Sequence, residues 1–213
     1  SCMTMANAEP AKPPKIGKAE QSQRTRALII ETGIRCLAEH GYANTTMLLI
    51  AQQAGLSRGP LHYHFADHDA LMAAIAEALP VGVSRELMQR LMAAQGLEER
   101  LGTIIDIALD EHLGVHHFAA MELLLAARNN MGLAAAIRPH FHASETVSDD
   151  WWCNYMALLR WPRSELVAFR RLFVACLRGL ALDQLLPDDR ATHDAALAMM
   201  RRMFLQFAVP TGP

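Results

Sequence analysis

Three features of the sequence predict an all-α fold. Apolar residues recur at helical spacing, as in Ile30, Ile34, Leu37 and in Leu101, Ile104, Ile105, Ala108, rows that line one face of a 3.6-residue period. No stretch alternates apolar and polar residues as a half-buried strand does, and no Asn-Gly or Asp-Gly pair marks a hairpin. Five prolines, Pro60, Pro80, Pro139, Pro162 and Pro187, punctuate long Ala/Leu/Met-rich stretches, and the other five lie in the two ends.

Taken in order, residues 1–21 read as a disordered arm, broken by Pro10, Pro13 and Pro14 and made basic by Lys12, Lys15 and Lys18. A first helix over 22–40 carries the Ile30 row and stops at Gly41. Two short helices follow at 46–53 and 57–64, with Gly55 between them and Ser57 placed to cap the second. Asp67 caps a helix over 68–79, Ser84 one over 84–95 that stops at Gly96, and helices over 97–112 and 116–129 come next. The segment 133–159 reads as a helix broken at Pro139, because proline removes a donor and crowds the preceding turn. Helices over 163–186 and 189–208, the latter behind Asp188, complete the chain before a tail at 209–213.

The composition excludes wholesale disorder: 52% of the 213 residues are hydrophobic and 20% charged, with a mean hydropathy of +0.08. No apolar run reaches membrane-spanning length and the N-terminus shows no secretory apolar stretch, so a cytoplasmic location without membrane association is expected. Cys2, Cys36, Cys153 and Cys176 are widely separated, which fits free thiols in a reducing compartment. The net charge is −2, yet between Pro10 and Ala66 seven basic residues face three acidic ones, so the first quarter of the chain is locally basic.

Helices 46–53 and 57–64 are joined by only Ala54, Gly55 and Leu56. That is the spacing of a helix-turn-helix, whose second helix enters a DNA major groove while the first crosses the backbone. Ala51 permits close approach, and Ile50, Leu56, Leu61 and Phe65 supply a small core beneath. Spacing alone fits an ordinary helical hairpin better.

The wording of the segment adds more. Gly41-Tyr42, Thr45-Thr46, Ile50-Ala51, the run from Ala54 through Gly55, Leu56, Ser57, Arg58, Gly59, Pro60, Leu61, His62, Tyr63, His64 to Phe65, and then Ala70-Leu71 resemble the DNA-binding domain of the tetracycline-repressor (TetR) family over residues 24–79. The resemblance implies a DNA-binding domain over 22–66 and a helical ligand-binding and dimerisation domain over 67–208. It implies that Thr45 and Thr46 meet phosphate at the start of the second helix and that Ser57, Arg58, Gly59 and Pro60 form the first turn of the recognition helix. There Arg58 is the one long bidentate donor, suited to guanine O6 and N7. His62 faces the same groove, while Tyr63 and His64 are placed for phosphates. Two positions depart from the family pattern. Leu48 stands where a basic or polar residue is usual and offers apolar contact, as to a thymine methyl; His68 stands where lysine is usual, so its phosphate contact is expected to weaken as pH rises.

The same resemblance implies an effector cavity in the second domain. Flexible Met and aromatic side chains suit an apolar or aromatic small molecule, with Met88, Met92, Phe118, Met121, Leu125, Trp152, Tyr155 and Phe173 as candidate lining. The last two helices carry more apolar surface than one small domain needs. Leu166, Phe169, Phe173, Ala175, Gly179, Leu180, Met200, Met203, Phe204 and Phe207 are therefore expected to meet a second copy of the chain across a two-fold axis. The implied function is a homodimeric, ligand-released repressor on a near-palindromic double-stranded operator. No phosphate loop, G-x-S-x-G or paired carboxylate motif points to an enzyme, and no cofactor is expected. Two other readings stay open: a helical small-molecule-binding protein or enzyme without DNA function, and a metal sensor using His112, His116, His117, His140 and His142, although Gly114 interrupts the i, i+4 pair His112 and His116, no Glu-x-x-His pair occurs and no cysteine is near.

Overall fold

The computed structural model describes residues 17–79, 85–112, 114–183, 185 and 190–208, with the side chains of 85–87 and 109–112 outside the description. Among the described residues ten α-helices run in order: α1 Lys18–His40, α2 Met47–Gln53, α3 Arg58–His64, α4 His68–Ala78, α5 Arg85–Ala93, α6 Leu97–His112, α7 Val115–Ala127, α8 Met131–Tyr155, α9 Arg163–Asp183 and α10 Arg190–Ala208. No strand occurs among the described residues. α1 starts four residues earlier than its apolar row implies, so the end of the basic arm is helical. Residues 1–16, the caps expected at Ser84 and Asp188 and the tail at 209–213 lie outside the described residues.

Two hydrophobic cores form. The first gathers Ile29, Ile30, Ile34 and Leu37 of α1 with Ile50, Leu61, Leu71 and Ile75, and takes in Ala119 and Leu123 of α7 and Leu133 and Ile137 of α8. The second joins Leu91, Leu101 and Ile105 to Trp152 and Tyr155 of α8, Phe169, Phe173 and Leu177 of α9, and Met200 and Phe204 of α10. α8 feeds both cores from its two ends. It is 25 residues long, and at 1.5 Å per residue it spans about 37 Å. The break expected at Pro139 does not occur, and the helix runs through it. Pro139 and Ala135, four residues before it, are both exposed, so the proline's missing donor falls on the solvent side of the helix, where an unpaired carbonyl is least costly.

The junction of α1 with the short 3₁₀ turn Tyr42–Asn44 shows how the first core is tied to α7. Gly41 adopts φ +74°, and the Tyr42 N–H donates to Glu122 Oε2 at 2.8 Å. A Cβ on Gly41 would lie 3.2 Å from that same oxygen. Gly41→Ala is thus expected to combine left-handed strain with a displaced Glu122 carboxylate and to lower stability by about 1–3 kcal/mol, measured by urea denaturation. Glu122→Gln, which keeps an acceptor for Tyr42, is expected to cost less than Gly41→Ala in the same assay.

Candidate nucleic-acid interface

α2 and α3 meet through a turn made possible by Gly55 at φ +67°, closed by the Leu56 N–H donating to Ala51 O at 2.9 Å. Ile50, Ala51, Leu61 and Phe65 lie at or below 4% exposure beneath it, and Leu56 packs against them half-buried. With that side of α3 consumed by packing, Ser57, Arg58, Gly59, His62 and Tyr63 face outward, with Pro60 and His64 half-buried at the flank. Ser57 occupies the N-cap position of α3, yet its hydroxyl makes no capping bond. The residue itself is exposed. Arg26 of α1 lies over the Phe65 ring, 5.4 Å from its centroid, and braces the end of α3.

The paired threonines separate into different roles. Thr46 caps α2, its hydroxyl accepting from Leu49 N at 3.1 Å, and it remains exposed. Thr45 is 1% exposed; its hydroxyl donates to Gly41 O at 2.7 Å, so its side chain is a turn element and not a phosphate contact. His68 is corrected too. Its Nε2 lies 2.7 Å from Thr45 O, and a carbonyl only accepts, so Nε2 carries the hydrogen and points inward. The ring rests edge-on against Tyr42, with Nδ1 3.9 Å from Asp69 Oδ1. His68 holds the start of α2 in place, and the nitrogen expected on phosphate is engaged internally. Burial first, and then the charge of Asp69, push the Tyr42 phenol above its ordinary range, keeping it neutral.

A second flank lies within the basic stretch from Lys12 to Arg26, which by its charge suits the DNA backbone or minor groove. Lys18, Gln21, Ser22 and Thr25 of α1 face Gly59, Pro60, Tyr63 and His64 of α3 across an open groove of about 420 Å³. The signal was the polar row at 18, 21, 22 and 25, one face of the first turns of α1.

Three of the eight candidate effector residues gather in one core, and the other five differ from them in burial. Trp152, Tyr155 and Phe173 are buried in the second core, Met88, Phe118 and Met121 are half-buried, and Met92 and Leu125 are exposed. Tyr155 is held by its hydroxyl donating to Leu91 O at 3.2 Å, while Arg100 donates to Tyr155 O at 2.8 Å and lies over its ring. The Trp152 indole N–H is buried without a hydrogen-bond partner among the described residues.

The expected interface residues divide as well. Leu166, Phe169, Phe173, Met200 and Phe204 are each at or below 5% exposure inside the chain, where they pack on one another and on Trp152, and so are core and not contact surface. Ala175, Gly179, Met203 and Phe207 are exposed and Leu180 half-buried. Leu172, Leu182 and Met199 on the same two helices are exposed as well, and apolar spacing alone did not separate them from the core.

Among the described residues no three metal-ligating side chains come together, and no helix is long and apolar enough to cross a membrane. Residues 29–75 match the family model described as bacterial regulatory proteins, tetR family. The transcriptional regulator CymR of Pseudomonas putida is 23% identical over 92% of this chain and 98% of its own length. A transcriptional repressor of Mycobacterium tuberculosis is 35% identical over 45% of this chain, and the chain spans 54% of that relative. A transcriptional regulator of Pseudomonas aeruginosa has the same fold, with TM-score 0.63 and 22% identity over 89% of this chain and 92% of that one. The helix-turn-helix and its outward α3 face thus lie in the segment, residues 29–75, that matches the tetR-family model, and the chain along most of its length is similar to transcriptional regulators.

Proposed function

We propose that the chain is a homodimeric repressor that holds a near-palindromic operator in the cytoplasm and releases it when a small apolar or aromatic effector binds among the C-terminal helices. The observation that carries the DNA side is the α3 face. Arg58 is exposed in the first turn, between the exposed Ser57, whose hydroxyl makes no capping bond, and the exposed Gly59, where a long bidentate donor suits base edges. The groove beside α1 adds Lys18 and Ser22 for the flanking backbone.

Dimerisation is supported by the open seam of α9 and α10. Leu172, Ala175, Gly179 and Leu182 succeed one another at steps of three and four on α9, and Met199, Met203 and Phe207 at steps of four on α10. These are the spacings of helices that pair lengthwise, and the small residues allow close contact. Effector release is supported by the aromatic second core and by the Trp152 N–H, a buried donor that an effector carrying an acceptor would satisfy. An effector acts by favouring the head spacing that cannot meet DNA, and shifts the equilibrium only by its differential affinity for the two states.

The test is selection of bound duplexes from a random-sequence pool at near-physiological salt. An inverted repeat is the expected product. Arg58→Ala is expected to keep the melting temperature and to lose about 1–3 kcal/mol of discrimination at one base pair per half-site, read by competition binding. Unchanged selectivity would remove Arg58 from the reading role.

A further inference from the structure

The outward side of α2 is unlike the rest of the candidate DNA face. Met47 and Leu49 are half-buried against the first core and Ile50 and Ala51 are fully buried, so the inward side of this helix is filled. Thr45 is buried, and the Thr46 hydroxyl is the cap. Beyond Thr46, Leu48 is the side chain that the first turn of α2 presents to solvent, 42% exposed, with Gln52 one turn along the same row. A leucine gains nothing from phosphate. In the major groove the apolar feature of a base edge is the C5-methyl group of thymine.

We propose that Leu48 is a specificity residue that packs on a thymine methyl in each operator half-site, beside the base pair that Arg58 reads. This rests on the DNA-binding reading above. Covering one methyl by one leucine side chain is worth about a fourfold change in affinity. A base pair lacking the methyl is otherwise unchanged in its hydrogen bonding, so the contact is testable atom by atom.

The experiment takes the full-length protein and the selected operator, and replaces each thymine of one half-site in turn by deoxyuridine, reading Kd by fluorescence anisotropy at fixed salt. One position is expected to lose about fourfold. Leu48→Ala is expected to bind the unmodified operator more weakly by a similar factor per half-site and to ignore the substitution at that position. Arg58→Ala, by contrast, retains the sensitivity to methyl removal. The melting temperature of Leu48→Ala, which removes a surface side chain, is expected to match the parent. An operator indifferent to every substitution, or a sensitivity that survives in Leu48→Ala, would overturn the assignment while leaving DNA binding intact. Recovery of no operator at all would overturn the DNA-binding reading and this inference with it.

Discussion

Met203→Asp combined with Phe207→Asp is expected to yield a folded monomer whose operator affinity is lower by about a thousandfold or more. The two side chains are 60% and 69% exposed on consecutive turns of α10, on the row that Met199 begins, and the Phe207 ring borders the second core, 5.5 Å from Trp161 and 6.0 Å from Phe169. In a two-fold interface each substitution appears twice, so four carboxylates would enter one apolar seam without partners. An unpaired buried charge costs several kcal/mol, more than such a seam can absorb. The loss on DNA follows from geometry, because a monomer brings one α3 to one half-site and forfeits the second set of contacts. For specific binding in the range of about 10⁻⁸ to 10⁻¹¹ M, losing half of the contacts moves Kd by three or more decades. Sedimentation equilibrium and anisotropy with the selected operator measure both halves of the expectation. Leu125→Asp is the matched control: Leu125 is 55% exposed on α7, away from the seam, and the change is expected to leave the dimer intact. A dimer that survives the double substitution would place the interface elsewhere.

The helices were legible because their determinants are local. Asp67 and Thr46 cap where they stand, and Gly41, Gly55 and Gly96 end or bend the backbone at positive φ. The outward face of α3 was legible for the same reason, since the buried positions Leu61 and Phe65 fix which side remains. What failed depended on partners distant in sequence. His68 points to the Thr45 carbonyl, 23 residues away, and nothing in the wording of either segment specifies that bond. The split of α9 and α10 into core and seam is decided by where Trp152 of α8 lies, since Phe169 and Phe173 pack against it. Periodicity finds a broad apolar stripe, and only tertiary packing says which half of the stripe faces inward. Pro139 failed in the opposite sense: a strong local rule was overridden on an exposed side of the helix, where a lost backbone bond costs least.

Arg170→Ala is expected to destabilise the protein by about 3–5 kcal/mol, and the reason lies between α8 and α9. Arg170 is 6% exposed; its Nε donates to Asp149 Oδ1 at 2.5 Å and its guanidinium also bonds Glu145. Arg171 takes the other oxygen of Asp149 at 3.0 Å and lies 2.9 Å from Glu145, but is half in solvent. Removing Arg170 leaves Asp149, itself 9% exposed, a buried carboxylate with one screened partner. For a chain of this length the loss corresponds to a fall of about 6–20 °C in melting temperature. Arg170→Met with Asp149→Leu, which removes both charges and keeps volume, is expected to recover most of it. The pH dependence gives an independent check. Burial opposes the Asp149 charge, but hydrogen bonds and attraction from Arg170 and Arg171 prevail and hold its carboxyl below the ordinary value of 3.8. A lowered native value means that stabilisation is complete above about 3.8 and is lost as the pH falls through the lowered value. Asp149→Asn should therefore flatten the acid limb of the stability profile below about pH 4, while lowering stability at neutral pH. Because α8 crosses both cores and α9 carries half of the open seam, loosening this network is also expected to weaken dimerisation. A variant that loses stability but dimerises as tightly as the parent would show that the seam is set by α10 alone.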